Sequence, residues 1–171
     1  MQFKGTVLGL SLLLATPAAF AESYYIGAGL NSIDYADSDY ETTVGIELVA
    51  GYSFNENFAV EVGYMDWGEA DDDVAPVWTI SGHSLKIGAK GSLPVNDLVT
   101  LFAKGGVHSW DGEVETSNGS LVSEDDGSDI FGAIGVEFNI KENFAISASI
   151  SRYDVDGSDL NTFGALALYR F

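Results

Sequence analysis

The chain has 171 residues, room for one domain, with 20 glycines, 3 prolines, 12% aromatic residues and no cysteine. The missing thiols exclude a disulfide framework, a thiolate metal centre and a lipid-modified cysteine anchor. A formal net charge of −19 disfavours nucleic acid, because little is present to neutralise phosphates.

Residues 1–21 read as a secretory signal. Lys4 supplies the positive start, Val7 to Leu14 the apolar stretch, and Ala19-Phe20-Ala21 the small-x-small cleavage pattern. The stretch is too short for a membrane-spanning helix, and nothing after residue 21 resembles one. Cleavage after Ala21 would leave a mature domain over 22–171.

From there, alternating segments predict eight strands, roughly at 23–31, 43–54, 58–66, 82–93, 98–108, 130–140, 144–153 and 161–171. Three connections are short: Asn55-Glu56-Asn57, Pro94-Val95-Asn96-Asp97 and Lys141-Glu142-Asn143. Four are longer: 32–42, 66–81, 109–129 and 154–160. Long and short alternate, which predicts an all-β, eight-stranded antiparallel up-and-down barrel with both chain ends on the short-turn side. Within strands the period of two separates two faces. Val44, Ile46, Leu48, Ala50 and Tyr52 share one; Gly45, Glu47, Val49, Gly51 and Ser53 share the other. Since a closed barrel is the alternative to helices for crossing a bilayer, the apolar face is expected to meet lipid and the small, polar face to line the lumen. Trp67, Trp78 and Trp110, near the upper strand ends, read as an outer aromatic girdle.

The charges divide the same way. The four longer connections hold 19 of the 26 acidic residues and no Lys or Arg. Dense carboxylates keep such loops hydrated. The clusters Asp71-Asp72-Asp73 and Asp154-Val-Asp-Gly-Ser-Asp159 also offer hard oxygen ligands to divalent cations, directly or as bridges to lipopolysaccharide phosphates. The inward strand positions instead set Glu47, Glu61 and Glu137 against Lys86, Lys90 and Lys104. An eight-stranded barrel is only wide enough for its own side chains, and buried charges require partners. A plugged lumen crossed by ion pairs is therefore expected, either as a structural polar core or as a gate that re-pairs to open a small ion path.

The last segment, Asn161 to Phe171, carries apolar or small residues at every second position, with Tyr169 two residues before the terminal Phe171. That ending, with the export signal, is typical of a Gram-negative outer-membrane strand read by the barrel-assembly machinery. Together with Tyr24-Tyr-Ile-Gly-Ala-Gly29, Phe58-Ala-Val-Glu-Val-Gly-Tyr64, Ala89-Lys90, Ala103-Lys-Gly-Gly106 and Gly135-Val-Glu-Phe138, it makes 22–171 resemble the transmembrane domain of OmpA and its small porin-like relatives. The resemblance implies an interior salt-bridge ring at Glu61, Lys90, Lys104 and Glu137. It also implies outer-membrane lipid and lipopolysaccharide as surroundings. Ser147 and Ser149 stand where that family often has inward charges, and Leu166 and Leu168 make the last strand's inner sector drier. The chain ends at the barrel, so the longer relatives' peptidoglycan-binding domain is not expected.

Some small outer-membrane barrels modify lipid A with a Ser-His-acid set. Here His83 and His108 are followed by Ser84 and Ser109, but neighbours in a strand point to opposite faces, so neither pair is a nucleophile–base couple by itself. Ser81 or Ser109 would meet His83 only across strands. No catalytic residues, cofactor or bound metal are therefore expected, and the role is that of a non-enzymatic outer-membrane protein with acidic surface loops. The alternatives are a low-conductance channel and a lipid A-modifying enzyme.

Overall fold

A computed structural model describes residues 23–35, 42–71, 78–116 and 121–171. The signal segment 1–21 and residues Asp37, Asp39, Glu41, Asp72 and Asp73 lie outside the described residues. Eight strands follow in order: β1 (Ser23–Tyr35), β2 (Thr43–Ser53), β3 (Phe58–Asp71), β4 (Trp78–Pro94), β5 (Val99–Thr116), β6 (Leu121–Lys141), β7 (Phe144–Val155) and β8 (Ser158–Arg170). Each pairs antiparallel with the next, and β1 pairs with β8 from Tyr25↔Arg170 to Tyr35↔Leu160, so the sheet closes on itself. Closure needs close backbone approach at the seam. A side chain on Gly29 would run into the Ala165 carbonyl, which leaves glycine as the residue that fits there.

The faces follow the predicted alternation. In β2 every second residue from Thr43 to Gly51 is buried, while Val44, Ile46 and Leu48 are exposed. Exposed apolar side chains wrap the outside on every strand, among them Leu30, Leu85, Val107, Ile134, Ile150 and Phe163. Buried Glu, Lys, Ser and Thr face the lumen. This inverts a soluble barrel.

The two ends differ. At one end, with both described termini, the turns are short and built on asparagine. Asn55 accepts from the backbone N–H of Asn57 and Phe58, and Asn96 from Leu98 and Val99. At the other end the ladders run further than the alternation predicts. The segments 66–81 and 109–129, expected as loops, are mostly strand: β3 pairs with β4 out to Asp71↔Thr79, and β5 with β6 out to Glu115↔Leu121. Above the apolar belt the outward positions turn polar while inward ones keep Trp67 and Trp110, so the signal of an apolar outer face disappears while the hydrogen-bonded ladder continues. A bulge between Asp66 and Glu69, with Gly68 at φ 70°, bends β3 there. The segment 154–160 is not a long loop either. Asp156 (φ 51°) and Gly157 (φ 78°) make a two-residue hairpin turn of the type that needs positive φ at both positions. The Asp154 carboxylate braces it by accepting the Gly157 N–H at 3.0 Å.

Candidate functional site: the lumen

All six charged residues expected inside line the lumen, in two linked groups. Nearest the short turns, Lys90 Nζ lies 2.5 Å from Glu137 Oε2 and 3.8 Å from Glu61 Oε1, while Lys104 Nζ lies 2.6 Å from Glu61 Oε2. The Arg170 guanidinium takes the other oxygen of Glu137, and the Tyr25 hydroxyl donates to Glu61. Further up, Lys86 Nζ is 2.5 Å from Glu47 Oε1 and 2.7 Å from the Tyr153 hydroxyl. The Asn31 amide donates to Glu47 Oε2 at 2.9 Å. Rings replace water around the ammonium groups. Lys90 sits 4.9 Å from the Phe102 centroid and 5.2 Å from Tyr25, and Lys86 sits 5.3 Å from Tyr153.

Three carboxylates thus share four cations, because Arg170 joins the set. The sequence reading passed over Arg170, Tyr25, Asn31 and Tyr153. Arg170 had a signal: it continues the inward series Leu166, Leu168. Tyr25, Asn31 and Tyr153 carry no charge to mark them as network members, although the period of two turns all three inward.

Above the charges lies an apolar lid. Ile33, Met65, Trp67, Trp110, Phe131, Tyr153 and Leu160 form one buried cluster. Trp67 and Trp110 are therefore not girdle residues. Both point inward, at 3% and 5% exposure, because odd-numbered positions of β3 and even-numbered positions of β5 face the lumen. The side chain of Trp78 lies outside the described residues. Trp110 Nε1 donates to Asp129 Oδ2 at 2.8 Å, and the Asp156 N–H approaches the same oxygen at 3.3 Å. Those two donors hold the Asp129 carboxyl below its ordinary range. A second apolar cluster of Tyr25, Val49, Ala59, Ala145, Leu166 and Leu168 forms the drier sector below.

Little space remains. A void of about 10 Å³ separates Glu47 and Lys86 from Glu61 and Lys104, room for a single water. At the short-turn end a vestibule of about 480 Å³ opens outward and reaches Lys90, Glu137 and Arg170.

The two histidines separate. His108 faces in, and its Nε2 donates to the Asp154 carbonyl at 2.8 Å. His83 faces out, 3.5 Å from the Asp111 carboxylate. The Ser84 hydroxyl is buried without a hydrogen-bond partner, and that of Ser109 donates to the Gly127 carbonyl at 3.3 Å. Neither serine is coupled to a histidine. Of the acidic run at 154–159, Asp154 caps the turn and Asp159 pairs with Arg152. Among the described residues no three His, Asp or Glu side chains converge as metal ligands. Tyr169 and Phe171 stand on the outer face with their rings edge to face, 5.1 Å between centroids.

A closed eight-stranded barrel, apolar outside and filled with paired charges inside, is a membrane-spanning β-barrel. The chain belongs to the outer membrane protein beta-barrel domain family, which matches residues 6–171. It is thus an outer-membrane barrel of Gram-negative bacteria. Three solved barrels illustrate the likeness. Neisserial surface protein A is 14% identical, with a TM-score of 0.69 over 91% of this chain and 100% of that one. Ail, the attachment invasion locus protein of Yersinia pestis, is 19% identical, with a TM-score of 0.60 over 88% and 97%. The N-terminal barrel domain of Pseudomonas aeruginosa OprF is 13% identical, with a TM-score of 0.64 over 86% and 97%. At these identities the likeness is one of fold. A comparison with curated proteins gives no match. In such barrels the short turns face the periplasm and the longer hairpins the exterior, so the vestibule is periplasmic and the lid extracellular.

Proposed function

We propose that the protein is a non-enzymatic integral component of the outer membrane. Its lumen is a closed polar core, and its contacts are made by the acidic extracellular rim. The observation that carries this reading is the filled interior, with one void of about 10 Å³ between the charged groups and an aromatic lid above. The chain reaches the membrane by export with cleavage after Ala21 and by presentation of Tyr169 and Phe171 to the barrel-assembly machinery. The rim meets lipopolysaccharide, with divalent cations bridging carboxylate to phosphate. An Ail crystal structure holds the heparin analogue sucrose octasulfate. The acidic rim here argues against a polyanion of that kind binding directly.

Single-channel recording of the refolded protein in a planar bilayer tests the closed lumen. Silence is expected from the wild type and from Lys104→Ala. One observation favours the second reading, a small channel. Glu47, Glu61, Lys86 and Lys104 border the same void, and Lys90 already spans two carboxylates, so exchange of partners would need only short movements. Discrete openings altered by Lys104→Ala would replace the closed-core reading with that one.

A further inference from the structure

Below the lid the charges do not sum to zero, and the surplus lies at one end. In the upper group Lys86 is matched by Glu47. In the lower group Lys90, Lys104 and Arg170 share Glu61 and Glu137, three cations on two carboxylates. A buried charge without a partner is costly, so this end of the network is short of one anion. Arg170 is its most exposed member, and it borders the periplasmic vestibule of about 480 Å³. That volume lies within the roughly 300–1,000 Å³ range of small-ligand sites. A second group on the vestibule wall has an unused donor. Thr100 is buried, and its hydroxyl oxygen accepts from the Asn139 amide at 3.3 Å. The hydroxyl proton has no acceptor among the described residues. Asn139 ties the two donors together, since its carbonyl oxygen accepts from the Arg170 guanidinium at 3.1 Å.

We propose that the periplasmic vestibule binds one small oxyanion, a phosphate or carboxylate, held by Arg170 and Thr100 and supplying the counter-charge that the lower network lacks. The site stands apart from the extracellular rim and leaves the lumen closed. An oxyanion suits it because the guanidinium presents its donors as a planar fork that matches carboxylate and phosphate, and the Thr100 hydroxyl adds a donor from the opposite wall. Glu56 and Asp97 also border the vestibule. Both lie on exposed turns, where water weakens their hold on the floor, and the carboxylate that pairs with Arg170 is that of Glu137. The floor lies inside the barrel wall, so a soluble periplasmic anion reaches it directly, whereas a lipid phosphate would have to leave the bilayer.

The test is phosphorus NMR of inorganic phosphate titrated with the full mature chain, folded in a phosphorus-free detergent, with sodium chloride holding the ionic strength constant. Saturable broadening of the phosphate line is expected. Arg170→Gln should weaken it about tenfold, the size of one charge-assisted hydrogen bond, and Thr100→Val about fivefold, the size of a neutral one. Asn139→Asp should abolish it, because the new carboxylate would take both donors itself, and should raise the urea midpoint of unfolding in phosphate-free buffer. That variant keeps the test decisive even where Arg170→Gln fails to fold. Arg152→Gln, beyond the lid on β7, should change nothing and controls for general attraction of anions. Competition by acetate, and none by an equal concentration of short-chain phosphatidylglycerol, is expected of a soluble oxyanion; the reverse order overturns the proposal in favour of a lipid head group. Absence of saturable broadening, undiminished binding by Asn139→Asp, or equal losses in Arg152→Gln and Arg170→Gln also overturns it.

Discussion

Removing the Glu137 carboxylate is the sharpest perturbation of the interior. Its side chain is 3% exposed and is the shared acceptor of Lys90 and Arg170. At 2.5 Å and an effective dielectric near 20, the Lys90 pair alone attracts by roughly 6–7 kcal/mol, of which desolvation of both groups offsets a large part. In Glu137→Gln, Lys90 keeps only Glu61 at 3.8 Å, an acid already engaged by Lys104 and Tyr25. The lumen is left with four cations and two carboxylates. Loss of one member of a buried pair costs about 3–5 kcal/mol, and the upper part of that range is expected here. Arg170→Gln should cost about 1 kcal/mol, since Arg170 is 26% exposed at the vestibule and its removal leaves Lys90 and Glu137 paired. Reversible urea unfolding in vesicles, followed by the gel-mobility shift between folded and unfolded barrel, measures both. The double variant Lys90→Gln with Glu137→Gln should be less destabilised than the sum of the singles by about 1–3 kcal/mol. If Glu137→Gln proves no more costly than Arg170→Gln, or the double variant is additive, the carboxylate is not the hub described.

Two further outcomes follow from the seam and from the lid. Gly29→Val should prevent closure of β1 on β8, since its side chain would meet the Ala165 backbone, whereas Gly105→Val should refold, because a Cβ there would find only the Phe131 carbonyl oxygen, at 3.7 Å; refolding yield by heat-modified gel mobility distinguishes them. Asp129 is held below its ordinary value in the folded state, so its contribution is present above the unfolded carboxylate range and is lost as pH falls through the lower folded value. Trp110 fluorescence should therefore change in acid, below the normal carboxylate range, and Asp129→Asn should remove that transition.

The barrel was legible in the sequence wherever one face meets lipid. Val44, Ile46 and Leu48 alternate with Gly45, Glu47 and Val49 because lipid and lumen demand opposite chemistry, and the same contrast located Glu47, Glu61, Lys86, Lys90, Lys104 and Glu137 on the inside. The signal failed where that contrast ends. Around Asp111 to Glu115 and Glu124 to Asp129 the outward positions are polar, so no apolar outer face marks the strands and the paired segments look like loops. Trp67 and Trp110 misled for a related reason. A tryptophan near a strand end suits a girdle or a lid equally, and it is the period of two, carried up from Glu61 in β3 and Lys104 in β5, that turns Trp67 and Trp110 inward. Partner choice within the network was not readable either, since three acids and three lysines permit several pairings and Arg170 was missing from the set.

The unequal ends of the lumen make the molecule a cup rather than a tube. The vestibule at the periplasmic mouth extends to Lys90, Glu137 and Arg170, of which Arg170 alone is more than a tenth exposed, while Trp67, Trp110 and Leu160 cover the far side. The lower charges thus lie one residue, Arg170, away from the periplasmic vestibule, and the apolar cluster stands between them and the other end. A swing in external salt or acidity acts on the rim and leaves the interior pairing to follow the cell's own compartment.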